Sequence, residues 1–253
     1  MKKLLVLALV LTTLLTACSQ TKKEVLNILV SADYPPYESI DTNGEFIGFD
    51  IEFGVALAKE MGVEIKWTDT AFDGIIGALQ ANAGDMAISS MSVTAERALS
   101  VDFSTVYKQE SSAGETFTVV SLKSNAWTQL SDLKGKIGST QLGTVQEQAL
   151  NMLKTEFSLT LDIRNKWDVI VQEIINKRID FLLVDKATAD EFLTVYPVLS
   201  EFTAEHTSLA AINGIGIAFP KGSVWTEKAN KAIAAMEKDG SLQALIDKWF
   251  PAN

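Results

Sequence analysis

Residues 72–88 read FDGIIGALQANAGDMAI, and residues 167–184 read WDVIVQEIINKRIDFLLV. Each stretch opens with an aromatic residue followed by aspartate, and apolar residues then recur at the spacing of one helix face. Each also has a second aspartate, Asp85 or Asp180, which follows the first by twelve residues and begins a short apolar run. The two stretches therefore predict one helix–strand unit that occurs twice in the chain.

Polar residues follow both predicted strands, and they include a cation after the first strand and an anion after the second. Ser89, Ser90, Ser92 and Arg97 come after the first strand, and Asp185 comes directly after the second. Ligands of open α/β sheets lie beyond the carboxyl ends of the strands. We therefore expect two matching units to present a cation and an anion to a small zwitterion held in a cleft between them.

Strand and helix patterns alternate along the rest of the folded part. Leu26–Val30 is a predicted strand, Asp50 is a predicted N-cap for a helix that ends near Met61, and Val63–Trp67 alternates like a half-buried strand. The pattern returns after residue 116. Such alternation is typical of mostly parallel sheets with helices on their faces. We expect an α/β fold of two lobes.

The chain is predicted to cross between the lobes near Glu110–Glu115 and to return near Ala211–Gly216. Lobe 1 then comprises residues 26–112 with 215–253, and lobe 2 comprises residues 113–214. A ligand that contacts both lobes binds the closed arrangement best, so it shifts the population towards closure.

The N-terminus has the features of an export signal. Lys2 and Lys3 precede an apolar stretch, Leu4–Leu15, that is too short to span a bilayer as a helix. We expect residues 1–17 to be a signal peptide that is removed.

Residues 15–18 read LTAC, which resembles the bacterial lipoprotein cleavage motif. Cys18 is the only cysteine of the sequence, and the alternative is an ordinary secretory signal with an incidental cysteine. We expect Cys18 to be acylated and residues 18–25 to tether the protein to the outer face of the cell membrane, or to the periplasmic side of a bacterial envelope. An acylated cysteine leaves none for a disulfide.

Composition excludes several classes of function. The chain of 253 residues has a formal charge of −10, which argues against binding to nucleic acid, because phosphates require clustered lysine and arginine. His206 is the only histidine, is expected at the surface, and stands away from every motif. The sequence shows no Ser-His-Asp set, metal-ligand cluster or phosphate loop. We therefore predict no catalytic residue, no metal and no cofactor, and we expect a monomer.

Eight motifs in order carry a family resemblance from about Leu26 to Phe250. They are YPPYE at 34–38, GFD at 48–50, FDGII at 72–76, SMSVTAER at 90–97, VDFS at 101–104, QLGT at 141–144, Asp185, and GIGIAFPKGS at 214–223. Together they resemble the polar-amino-acid-binding proteins of ABC importers, the family-3 extracellular solute-binding proteins. The resemblance implies a type II periplasmic-binding-protein-like fold, with a two-strand hinge and a ligand cleft between the lobes.

The resemblance implies a role for each matching residue. Arg97 would hold the α-carboxylate of a free amino acid, which suits a guanidinium that forms two charge-assisted bonds. Ser90 and Ser92 match positions that meet the carboxylate and the amine, and Ser89 lies beside them near the ligand side chain. Thr144 would donate its backbone N–H to the same carboxylate.

The remaining implied contacts concern the amine and the side chain. Asp185 would receive the α-ammonium group, although an N-cap role is also physically sound. Tyr34 and Phe72 match aromatic walls on either side of the ligand, and Tyr34 is expected outside the core because its loop is rich in proline.

Two further positions, Ser31 and Gln141, match residues that recognise the ligand side chain in members of the family. Ser31 stands where some binders of basic amino acids have an acidic residue, whereas Gln141 resembles arginine binders, and Asp33 can supply a negative charge. We expect a basic or polar L-amino acid, with arginine favoured, which is delivered to the permease subunits of an ABC transporter.

Two rival functions remain open. Cyclohexadienyl dehydratases resemble the same family, but they need a general acid in the cleft, whereas this chain has the binder-like Asp185. A ligand-sensing domain would require a membrane-spanning segment in the same chain to pass its signal on. Transport binding is therefore the preferred hypothesis.

Overall fold

A computed structural model describes residues 23–109, 117–206, 209 and 214–251. Two five-stranded sheets form the centres of two lobes. In spatial order, the sheet of lobe 1 contains β5 (Glu64–Asp69), β1 (Val25–Val30), β6 (Met86–Ala87), β13 (Ala218–Phe219) and β7 (Asp102–Phe103). A small three-stranded sheet beside it contains β2 (Asp33–Tyr34), β3 (Glu38–Ile40) and β4 (Phe46–Ile47).

The sheet of lobe 2 repeats this design. Its strands in spatial order are β10 (Thr160–Leu161), β9 (Ile137–Ser139), β11 (Phe181–Val184), β8 (Thr118–Leu122) and β12 (Leu199–Thr203). Eight α-helices lie within the described ranges: α1 (Phe49–Met61), α2 (Ile75–Gln80), α3 (Ala95–Ala98), α4 (Val145–Lys154), α5 (Trp167–Ile175), α6 (Lys186–Val195), α7 (Trp225–Asp239) and α8 (Ser241–Trp249). None of the helices in these ranges is long and apolar enough to cross a membrane.

Both sheets are mixed, which corrects the expectation of mostly parallel sheets. Strands β5, β1 and β6 are parallel to one another, and so are β10, β9 and β11. The other two strands of each sheet run antiparallel to their neighbours. The alternating helix–strand pattern accounts only for the three parallel strands of each lobe.

The repeated unit has the same structural role in both lobes. Its strand, β6 or β11, is the central strand of the sheet and pairs in parallel with β1 or β9. Asp85 accepts the backbone N–H of Asn27 at 2.7 Å, and Asp180 accepts that of Ile137 at 2.8 Å. The amides of the two aspartates donate in return to the carbonyls of the same two residues, each at 2.9 Å. The second aspartate of each unit therefore fixes how the unit pairs with its sheet.

Helix α1 begins differently from the sequence prediction. Gly48 occupies the N-cap position, and Asp50 lies in the first helical turn without capping the helix. Gly48 has φ 128°, and a Cβ atom there would lie 2.2 Å from the carbonyl oxygen of Tyr37. Only glycine fits this approach. Asp50 is therefore available for another role.

Several predictions fall outside the described residues. They are the signal peptide, the acylated Cys18 and most of the tether. The predicted crossings near Glu110–Glu115 and Ala211–Gly216 fall largely outside as well, so the lobe boundaries stay predictions.

Candidate functional site

A pocket between the two lobes collects the predicted site residues. Nearly all of them line it, and they come from both lobes: Tyr34, Phe72, Ser90, Ser92, Arg97, Gln141, Thr144 and Asp185. The lining also includes residues that sequence reasoning missed: Tyr37, Glu38, Val145, Gln146, Trp167 and Ile215. The carboxyl ends of the parallel strands of both lobes thus converge on one cleft, as open α/β sheets lead one to expect.

Ser89 is the predicted residue that does not line the pocket. Its hydroxyl accepts the backbone N–H of Ser31 at 2.9 Å and donates to Glu38 at 3.0 Å. Both of these bonds lie in the interior. Ser89 therefore holds the carboxyl group of Glu38 in position and does not itself reach the pocket.

Arg97 reaches the pocket from the short helix α3, whose N-cap is Thr94. Its side chain donates to the carbonyls of Ser92 at 2.9 Å and Gly143 at 3.0 Å, so it contacts both lobes. The residue is only 8 % exposed, and burial lowers the pKa of its guanidinium to about 10. Arg97 is still a cation at neutral pH. Two of the five guanidinium N–H donors are used by these carbonyls, which leaves donors for an anion.

Helix α4 begins at the pocket with Thr144 as its N-cap. The Thr144 hydroxyl accepts from the amide of Glu147 and donates to the carbonyl of Gln141 at 2.6 Å. Its donor capacity is therefore used within the loop. Gly143 precedes it at φ 79°, and a Cβ atom there would lie 3.1 Å from the Cα of Asp73 in the other lobe. The lobes approach most easily where no side chain intervenes.

Asp185 occupies the N-cap position of α6 but makes no capping bond through its side chain. Its carboxylate instead accepts the hydroxyl of Tyr34 at 2.5 Å and the amide of Gln146 at 3.1 Å. Gln146 also donates to the Tyr34 oxygen at 3.1 Å. Burial raises the pKa of Asp185, and burial followed by the charge of Asp185 raises the pKa of Tyr34 well above its usual value. The side chain thus faces the pocket rather than its own helix.

Aromatic rings form part of the wall. Tyr34 packs against Trp167 of lobe 2, with ring centroids 5.2 Å apart, and stacks on Tyr37 at 5.6 Å. It is buried, which corrects the expectation that its proline-rich loop would keep it out of the core. Phe72 lies under the guanidinium of Arg97, whose central carbon is 5.3 Å from the ring centroid.

Gln141 and Asp33 interact directly across the cleft. The Gln141 amide donates to both Asp33 oxygens, at 3.2 and 3.3 Å, and to the carbonyl of Asn165. Asp33 also accepts the backbone N–H of Trp167 and the hydroxyl of Ser31. Burial raises the pKa of Asp33. Asp33 is therefore a bridge between lobes and does not line the pocket, whereas Gln141 keeps its amide oxygen as an acceptor.

Glu38 is the most informative residue that sequence reasoning missed. It is 1 % exposed and lines the pocket, and its Oε1 accepts the hydroxyls of Ser89 and Ser90, each at 3.0 Å. Its Oε2 is buried and accepts no hydrogen bond from a described donor. Burial, followed by the charge of Asp50, raises the pKa of Glu38 well above its usual value. The sequence feature that could have identified Glu38 is its position in the YPPYE motif. Tyr34 of that motif was predicted as a site residue, but Glu38 was not.

His206 has no part in the cleft. Its ring lies 3.1 Å from Glu156 and packs edge-on against Phe157, so it is partly buried rather than a free surface residue. The described part of the chain contains no group of three or more His, Cys, Asp or Glu residues that could hold a metal ion.

Comparison with known proteins identifies the family of this two-lobed fold. The family model "Bacterial extracellular solute-binding proteins, family 3" matches residues 26–252. The chain belongs to this solute-binding family. This family-3 protein has the two-lobed type II fold of its relatives.

Curated relatives match the family-3 protein over nearly its whole length. It is 37 % identical to "Arginine-binding extracellular protein ArtP" of Bacillus subtilis (strain 168), covering 99 % of this chain and 98 % of the relative. It is 36 % identical to "ABC transporter arginine-binding protein 1" of Escherichia coli (strain K12), covering 99 % of this chain and 100 % of the relative.

A solved structure supports the same conclusion. "An ancestral arginine-binding protein bound to arginine" superimposes with a TM-score of 0.81 at 33 % identity, over 90 % of this chain and 99 % of that chain. The family-3 protein is therefore a substrate-binding protein of the amino-acid ABC transporter class and not an enzyme.

Proposed function

We propose that this protein captures L-arginine in the cleft between its lobes and delivers it to the permease of an ABC importer. The observation that carries the choice of arginine is Glu38, a buried acid that lines the pocket and whose Oε2 has no described donor. A buried acceptor without a partner costs about 1–3 kcal/mol. A guanidinium at this place would satisfy it with a charge-assisted bond.

The α-carboxylate of the ligand would lie at Arg97. That side chain is held by the carbonyls of Ser92 and Gly143 and stacks near Phe72, so its remaining donors are fixed in direction. Because the hydroxyl of Thr144 already donates to Gln141, the backbone N–H at this helix start is the donor left for an anion.

The α-ammonium group would lie at Asp185. The carboxylate accepts bonds from Tyr34 and Gln146, and an ammonium would be a stronger donor than either neutral group. Tyr34 and Phe72 then flank the aliphatic part of the ligand, and the amide oxygen of Gln141 is a second acceptor for a guanidinium. Two relatives named as arginine-binding proteins support the same choice.

Export and anchoring complete the proposal. Cleavage before Cys18 and acylation of this cysteine would hold the protein at the outer face of a membrane, near a permease. Metabolic labelling with a fatty-acid probe tests this, because the wild-type chain should carry the label and Cys18→Ala should not. If Cys18→Ala kept the label, acylation at Cys18 would be contradicted. The proposal that the protein binds arginine would not be affected by that result.

A binding screen tests the ligand. Arginine at about a thousand times its Kd should stabilise the purified protein by about 4 kcal/mol, a shift that thermal denaturation detects readily. Lysine, histidine, glutamine and citrulline should give smaller shifts. If none of the twenty amino acids raised the melting temperature at millimolar concentration, the proposed function would be wrong.

A pair of variants isolates the role of Glu38. Glu38→Gln removes the charge but keeps the shape, so arginine affinity should fall about tenfold to a hundredfold. Affinity for citrulline, which has a neutral side chain of the same shape, should change much less. Glu45→Gln, an exposed residue of the neighbouring turn, should bind arginine like the wild type.

A further inference from the structure

Glu38 and Asp50 are two buried carboxyl groups that both accept hydrogen bonds from Ser90. Glu38 accepts the Ser90 hydroxyl at 3.0 Å, and Asp50 accepts the Ser90 backbone N–H at 2.5 Å. Ser90 has φ 42°, a left-handed conformation that is unusual for serine. Both carboxyl groups are almost fully buried, with residue exposures of 1 % and 0 %.

Few groups can balance two negative charges at this place. The charge of Lys108 lowers the pKa of Asp50, but burial is the larger effect and the pKa stays raised. The Asp50 oxygens accept the hydroxyl of Tyr107 at 2.9 and 3.0 Å. The charged and titratable groups that act on the pair are Asp33, Tyr107 and Lys108, and Arg97, Asp185, Tyr34 and Tyr37 line the same pocket.

Two neighbouring carboxylates in a dry site do not both ionise, because each desolvated charge raises the cost of the other. A proton on Glu38 removes this repulsion. The directions agree: burial raises the pKa of Asp50 from 3.8 to about 6, and that of Glu38 rises well above its usual value.

We propose that Glu38 and Asp50 share one proton and that this proton leaves when a cationic side chain binds, so that pH sets the choice between cationic and neutral amide ligands. This inference rests on the proposed function of the same cleft. With a guanidinium bound, its N–H donates to ionised Glu38, and the proton passes to the solvent buffer. With a neutral ureido or amide side chain, protonated Glu38 donates to the carbonyl oxygen of the ligand and keeps its proton.

Titration calorimetry on the purified protein tests the proton count. Arginine and citrulline are titrated at about pH 7 in two buffers with different ionisation enthalpies. The enthalpy of arginine binding should differ between the two buffers by an amount that corresponds to the release of up to one proton per arginine bound. The enthalpy of citrulline binding should be the same in both buffers. Between about pH 8 and pH 6, arginine affinity should fall by up to tenfold per pH unit, while citrulline affinity stays level or rises.

Two variants assign the proton to the pair. Asp50→Asn keeps an acceptor for Ser90 and Tyr107 but removes one charge, so Glu38 should ionise more readily in the unliganded protein. Arginine binding should then release fewer protons per ligand than in the wild type. Glu60→Gln removes an exposed acid from the same helix and should behave like the wild type. If Asp50→Asn failed to fold, the wild-type comparison between buffers would still decide.

The outcomes separate the two proposals. Arginine binding with identical heats in both buffers and a level affinity from pH 8 to pH 6 would overturn the shared proton and leave the proposed function intact. An absence of binding by arginine at every pH would overturn the proposed function itself. Equal proton release by arginine and citrulline would place the proton elsewhere in the cleft and also overturn the inference.

Discussion

The hydroxyl of Tyr34 in lobe 1 donates to Oδ2 of Asp185 in lobe 2 across a distance of 2.5 Å. These residues are 151 positions apart in the chain, and the bond is fully buried. The contact uses the very carboxylate that we propose for the ligand ammonium. A bound amino acid would therefore compete with the phenol for Asp185.

Replacement of Tyr34 by phenylalanine should strengthen ligand binding. The ring keeps its contacts with Trp167 and Tyr37, but Asp185 loses a donor that the ammonium would otherwise displace. Arginine affinity should rise several-fold in calorimetry, and the unliganded protein should lose about 1 kcal/mol of stability. Tyr196→Phe is the control outside the cleft. Weaker binding in Tyr34→Phe would show that the hydroxyl contacts the ligand rather than competes with it.

Arg97→Lys should abolish binding of every amino acid. Lysine keeps the charge but lacks the planar set of donors of a guanidinium. It therefore cannot bind the carbonyls of Ser92 and Gly143 and a ligand carboxylate at the same time. We expect a loss of more than about a hundredfold, equivalent to two charge-assisted bonds. Arg178→Lys is the matched control, because its side chain is 70 % exposed. Near-normal affinity in Arg97→Lys would argue against its role at the ligand carboxylate.

Asp33→Ala should weaken arginine binding without removing a ligand contact. Asp33 joins the lobes through the backbone N–H of Trp167 and the amide of Gln141, and both donors would lose a buried acceptor. Affinity should fall about tenfold to a hundredfold, since a hydrogen bond to a charged group contributes about 1.5–3 kcal/mol.

A second bond between the lobes gives the control for Asp33. Asn165 donates to Asp73 at 3.3 Å in an exposed position, so Asp73→Ala should change affinity less than about twofold. Small-angle scattering of both variants with and without arginine would report whether closure is impaired. Equal effects of the two substitutions would show that burial of the Asp33 bridge is unimportant.

Stability should fall as pH rises through the range where Asp50 titrates. Its pKa is about 6 in the folded protein and 3.8 in the ordinary state, so between these values the folded state binds more protons than the unfolded one. The gain present below about pH 4 is lost as pH passes 6, by at most about 3 kcal/mol at 1.4 kcal/mol per pKa unit.

The variant Asp50→Asn isolates this contribution from that of other acids. The free energy of unfolding, measured by urea denaturation from about pH 4 to pH 8, should decline less with pH in the variant than in the wild type. Parallel curves for the two proteins would mean that Asp50 is not protonated in this range.

The fold was predictable because its decisive pattern is local. The repeated unit contains a helix and a strand within eighteen or fewer residues, and the spacing of Asp85 and Asp180 marks the start of each strand. The sequence did not predict the antiparallel strands, since β13 pairs with β6 across more than a hundred residues. Long-range pairing of this kind leaves no periodic signal in the strand itself.

The candidate site was predictable only in part. Arg97, Thr144 and Asp185 stand at the ends of predicted elements, and the structure gathers them at one pocket, although their contacts to a ligand stay predictions. Glu38 and Gln146 were missed because each acts through partners far away in the chain. A polar residue in an ordinary motif looks like a surface residue until the fold shows that it is buried.

The packing of Tyr34 on Trp167 gives the protein an internal optical reporter. The two rings come from different lobes and lie 5.2 Å apart, so any change in the angle between the lobes alters the surroundings of the indole. The emission of Trp167 should therefore change in colour and intensity as a ligand enters, and Trp167→Phe should remove that part of the signal. The arrival of a ligand could then be followed in milliseconds by stopped flow, without attaching a dye.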